Sequence, residues 1–150
     1  MKLITELEQQ IEYCEIKNSK ASAGSVGWHI EHCLLVINQV VAAIEKSDPK
    51  DYKPKTTFFK LLIFTLNKIP KGKVKAPKRV QPADELISSD QLKNHLHETN
   101  LNLNKLNLLT NDQFFDHPFF GNLNLPATRK FLKIHTNHHL QIIKDIRRSA

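Results

Sequence analysis

The chain predicts an all-α fold, a four-helix bundle with a long basic crossover, residues 47–88, between the second and third long helices. Two observations predict it. Apolar residues recur at three-to-four spacing in four well-separated stretches, the signature of helices that bury one face. One of these stretches, Val26 to Lys46, runs for about five turns, a length that suits a bundle better than an α/β unit. At 150 residues and 40% apolar, the chain can bury a sizeable core, and one domain over 1–150 is expected.

Leu3, Ile4, Leu7, Ile11 and Cys14 share a face, so the first helix is expected to end near Asn18. Asn18-Ser-Lys-Ala-Ser-Ala-Gly-Ser follows, small and polar with several helix-capping side chains, and the second helix then stops at Ser47-Asp48-Pro49. Thr57 to Ile69 is strongly apolar and ends at Pro70; it reads as a short buried helix inside the crossover, with a strand as the alternative. Pro70 to Pro82 holds three prolines among repelling lysines and predicts an irregular connection. Ser88-Ser-Asp-Gln91 resembles a capping box that opens the third long helix, which Leu92, Leu96, Leu103 and Leu106 carry toward Leu109. Residues 111–125, with four phenylalanines around His117-Pro118 and a turn at Gly121-Asn122, predict a structured loop. Pro126 suits the first turn of the last helix, whose basic C-terminal end complements the helix dipole.

Lysine and arginine number 22 against 15 acidic residues, a net charge of +7. Residues 53–80 hold nine of the basic residues and no acidic one, so the rest of the chain is close to neutral. No aromatic-interleaved sheet or recognition-helix pattern accompanies that stretch, which disfavours nucleic acid and leaves a solvated connector. The N-terminus lacks the apolar core of a secretory signal and no apolar run approaches a membrane span, so a cytoplasmic protein with no membrane partner is expected. In that compartment Cys14 and Cys33 are read as reduced packing residues.

Chemistry points to the histidines. In Phe131-Leu-Lys-Ile-His135-Thr-Asn-His138-His139, His135 and His139 stand one helical turn apart on the apolar stripe, where two imidazoles can grip one divalent ion. A third ligand must come from elsewhere, and His32 on the second helix is the first candidate. His29 is a credible substitute, because periodicity does not settle the helix rotation to one residue. His138 is turned about 100° from His139 and is expected to face a neighbouring helix or solvent. His95 and His97 point to opposite sides and read as surface or interhelical residues. His117 is expected to hydrogen-bond to backbone and pin its loop. Glu31, turned away from His32, is read as solvent-exposed. Three imidazoles leave an open position, the arrangement of a catalytic rather than a closed structural metal site.

Ser25-Val-Gly-Trp28-His-Ile-Glu-His32 and His135-Thr-Asn-His138-His139-Leu-Gln-Ile resemble the DinB-like superfamily of metal-binding four-helix bundles, which includes bacillithiol S-transferases. The tail from His117-Pro-Phe-Phe-Gly121 resembles a subfamily of it whose members are mostly of unknown function. The resemblance implies His32, His135 and His139 as ligands of zinc or nickel, a low-molecular-weight thiol or small-molecule substrate at the open position, and homodimer formation as an option. It implies thiol S-transfer first and hydrolysis by a metal-activated water second. The rival class is a non-enzymatic, metal-stabilised binding module that recruits an acidic partner or nucleic acid through the basic stretch.

Overall fold

The computed structural model describes residues 2–70, 77–83 and 86–148. Five helices order the chain: α1 (Lys2–Glu8), α2 (Val26–Glu45), α3 (Phe58–Leu66), α4 (Ser89–Lys105) and α5 (Leu125–Arg148). Between α4 and α5 stands an antiparallel hairpin of β1 (Phe114–His117) and β2 (Gly121–Asn124). The fold is therefore mixed α and β, which corrects the expected all-α four-helix bundle. The first helix is also far shorter than its apolar stripe suggested.

Past Glu8 the backbone bonds tighten to three-residue spacing: Gln10 N donates to the Leu7 carbonyl, Tyr13 N to Gln10 and Cys14 N to Ile11. After Glu8 the chain turns and makes a single 3-10 turn at Ile11–Tyr13. The carbonyls of Cys14 and Ile16 then accept from Gly27 N (2.8 Å) and Val26 N (2.9 Å), at the start of α2. Those two bonds tie the end of this segment to the start of α2. Gly27 permits the approach, since a Cβ there would lie 3.0 Å from the Cys14 oxygen.

α2 is the central rod. Ser25 caps it by accepting from Trp28 N at 3.1 Å, and it packs chiefly against α4 and α5. Val26, Ile30, Leu34, Ile37 and Ile44 on α2 meet Leu92 of α4 and Leu132, Leu140 and Ile143 of α5 in one core. α2 is long and apolar enough by composition to cross a membrane, contrary to the sequence reading, but 61% of the relevant window is buried inside the protein, as in a core helix. Ser88 and Gln91 form the expected capping box at the start of α4.

The hairpin occupies the stretch expected to be a loop. Its strands pair Phe115 with Leu123 and His117 with Gly121, around a three-residue connection closed by Gly121 at φ +65°. The inward residues Phe115 and Leu123 are buried, which anchors the hairpin on the helices. In the crossover, the apolar stretch forms a helix, α3, rather than a strand; Thr57 caps it, and Ile63 is its one buried residue, so the helix is not the buried one expected. Of the irregular connection expected over Pro70–Pro82, residues 77–82 carry a 3-10 turn at Lys78–Val80, and residues 71–76 lie outside the described residues.

Candidate metal centre

Two long helices deliver the site. α2 presents His29 and His32, α5 presents His135, His138 and His139, and both are held by core packing on their other faces. One nitrogen from each of His32, His135 and His139 lies within 4.8 Å of the other two. The His32 and His135 Nε2 atoms are 3.3 Å apart. Two nitrogens at ordinary zinc distances in tetrahedral geometry would be about 3.3 Å apart, whereas a hydrogen bond between ring nitrogens prefers about 2.9 Å.

The surrounding hydrogen bonds decide which nitrogens face inward. A carbonyl only accepts, so His32 Nδ1 must carry the proton it shares with the Val80 oxygen at 2.6 Å. That leaves the His32 Nε2 lone pair free toward His135. On the opposite side His139 Nδ1 meets His29 Nδ1 at 3.0 Å, and His29 Nε2 meets Ser22 Oγ at 2.8 Å. When His139 turns its Nε2 lone pair to an ion, its Nδ1–H donates to His29, whose Nε2–H then donates to Ser22. His29 is thus behind a ligand rather than a substitute for one. Such partners orient metal-binding imidazoles and settle their tautomer.

Burial keeps the group neutral. It pushes His135 and His139 well below the ordinary imidazole value, with neighbouring histidines adding to the shift. Burial also lowers His32, and it takes His29 to about 4. Neutral imidazole is the ligand form. Among the described residues His135 Nδ1 is buried without a hydrogen-bond partner, so the fit to an ion rests on the converging nitrogens of His32, His135 and His139 and on their neutral state. The residues present fit a divalent cation.

The three rings line a cavity of about 230 Å³. Phe59, Ile63, Phe115, Phe119, Phe120 and Phe131 make most of its wall apolar, and Arg79, Gln39 and His138 add polar groups. His138 stands on this wall, edge-on to His139 and outside the three-nitrogen group. His117 lines the cavity as well and pins the hairpin: its Nδ1 accepts from Phe119 N (3.1 Å) and Phe120 N (3.3 Å). Burial lowers its pKa to about 4, so the neutral ring carries its proton on Nε2.

Several residues lie elsewhere than expected. Glu31 is not free in solvent but pairs with His95 Nδ1 at 2.9 Å between α2 and α4. His97 is exposed. Cys14 and Cys33 are buried, and burial raises both thiol pKa values, which makes them poor nucleophiles. Ser22 and the Val80 carbonyl were missed. Ser22 sits in a polar segment rich in serines, and a backbone carbonyl 48 residues from His32 leaves no trace in side-chain spacing.

A centre of three neutral imidazoles beside an apolar cavity defines a protein able to bind a metal ion. Residues 16–146 match the family model described as "Protein of unknown function (DUF1569)". The chain belongs to that family. No curated protein and no solved structure matches it.

Proposed function

We propose that the chain is a metal-dependent enzyme of the DinB-like type that transfers a small thiol to an electrophilic carbon. The observation that carries this reading is the convergence of the His32, His135 and His139 nitrogens on the wall of an apolar cavity. The family match itself does not connect the chain with the DinB-like superfamily. Support for that connection is the distribution of the three histidines, one on α2 and two a turn apart on α5.

A divalent ion, zinc or nickel, would act there as a Lewis acid that lowers the pKa of a thiol in the open position. The net reaction joins the sulfur of RSH to the carbon of R′X, with the S–H proton and X leaving together as HX. Phenylalanine rings around the cavity exclude water and receive an apolar R′ group. Arg79, at the cavity edge, attracts the carboxylates of an anionic thiol. His117 presents its Nε2–H as a fixed hydrogen-bond donor for the departing group.

Elemental analysis of protein purified without an affinity tag, wild type against His135→Ala, tests the centre. One equivalent of metal in the first and little in the second is expected; equal retention rejects the site. Cobalt-substituted protein then tests the chemistry. A small thiol should perturb the cobalt spectrum, whereas silence toward every thiol and electrophile favours a metal-stabilised binding module. Turnover of an ester without thiol identifies hydrolysis instead.

A further inference from the structure

We propose that the outer face of α3, with the basic residues that flank it, is a docking surface for an anionic lipid bilayer. Helix α3 is turned the wrong way for a protein surrounded by water. Phe58 is 81% exposed, Leu66 62% and Leu61 57%. At 100° per residue these fall on one arc with Leu62 and Thr65, and that arc contains no charge. Ile63 and Phe64 hold the opposite arc against the protein, Phe64 through an edge contact with Phe120. An exposed apolar patch of this kind marks a contact site.

Charge selects the partner. Residues 53–80 carry nine lysines and arginines and no acidic residue. Among the described ones, Lys53, Lys55, Lys68, Lys78 and Arg79 are exposed. A helix of nine residues inserts too little apolar surface to hold a bilayer alone, but each basic residue near anionic headgroups adds attraction, and the two signals together suffice. A second copy of the chain fits poorly, because pairing the α3 faces would set one all-basic segment against another. Nucleic acid would use the lysines but leaves the leucines without a purpose. The sequence reading of this stretch as a solvated connector, and of no membrane partner, is revised accordingly: the chain lies on the bilayer rather than crossing it. Phe59 and Ile63 of the same helix line the cavity, so docking would bring that cavity next to the lipid.

Sedimentation of the full chain with vesicles tests this. Vesicles containing about one-third phosphatidylglycerol should carry the protein down at low salt, with loss as salt rises. Vesicles of phosphatidylcholine alone should not. Leu61→Asp with Leu66→Asp should weaken binding at least about tenfold, and Lys68→Glu with Lys78→Glu should weaken it and flatten the salt dependence. Far-UV circular dichroism and light scattering are run on each variant, and Leu61→Ser with Leu66→Ser replaces the aspartates if those misfold. Three results overturn the proposal: no binding to anionic vesicles at low salt, binding indifferent to the leucine variants, or a dimer that those variants dissolve. A labelled oligonucleotide bound where vesicles are not would overturn it in favour of nucleic acid.

Discussion

His32 Nδ1 donates to the carbonyl of Val80 at 2.6 Å, so one imidazole of the three-histidine centre also ties down the end of the basic crossover. The bond is buried, and Val80 itself is packed in the core. The site and this stretch of wall therefore share one hydrogen bond. His32→Ala removes the donor, leaving a buried carbonyl unsatisfied at a cost of about 1–3 kcal/mol. Hydrogen exchange over residues 77–83 should quicken in that variant while the core of α4 stays protected. Unchanged exchange would show that the crossover is held by Val80 packing alone.

The Ser22–His29–His139 chain makes a separate prediction about affinity. With an ion on His139 Nε2, His29 would accept from His139 Nδ1–H and donate its own Nε2–H to Ser22, orienting His139 without touching the ion. His29→Ala should weaken metal binding by about 10–100-fold yet keep one equivalent at saturation, measured by competition with a chromophoric chelator. His29→Gln, whose amide can accept from His139 and donate to Ser22, should recover part of the loss. If His29→Ala lowered the stoichiometry, His29 would be a ligand after all.

The centre was more legible in the sequence than the architecture around it. His135 and His139 advertise themselves because a helix converts a spacing of four into a shared face, and His32 follows from the apolar stripe of α2. What spacing cannot express is a hydrogen bond between distant segments. The path of residues 14–16 is set by Gly27 N and Val26 N on the Cys14 and Ile16 carbonyls, and the role of His29 by a histidine 110 residues away. The hairpin was hidden for another reason: four-residue strands give one or two alternations, too few to outweigh the reading of Phe-Pro-Gly sequence as loop. Its usable cue was Gly121, three residues beyond Pro118, with Phe115 and Leu123 equally placed to either side of the turn.

The Glu31–His95 pair predicts a pH dependence of stability. The hydrogen bond to Glu31 raises the His95 pKa above its ordinary 6.5, so the folded chain holds that proton more tightly than the unfolded one. The added stability is complete below about 6.5 and is lost as pH rises through the elevated folded value. His95→Gln keeps hydrogen-bonding capacity but not the charge. The melting temperature of wild type should exceed that of the variant by a few degrees near pH 6, with the gap shrinking as pH rises above 6.5 through the elevated folded value. A gap that widened with pH would mean that His95 is bound neutral.

His117 combines two tasks that substitutions can separate. Its Nδ1 accepts two backbone N–H groups in the hairpin connection, and its ring stacks on Phe120 with centroids 4.2 Å apart. His117→Phe fills the same space but leaves the exposed Phe119 N–H without its acceptor, while the Phe120 N–H keeps the His117 carbonyl at 3.2 Å, a net loss of about 0.5–1.5 kcal/mol. His117→Asn places a side-chain oxygen where it can accept from the residue two further on, as in an Asx turn, while giving up the stacking and the Nε2–H donor. Asparagine should therefore hold the hairpin better than phenylalanine does, as read from exchange of the Phe119 amide. On the proposed chemistry both should lose turnover, since phenylalanine has no donor and the shorter asparagine amide does not reach the position of the imidazole Nε2. An active, destabilised His117→Phe protein would confine His117 to pinning the hairpin and remove it from the chemistry.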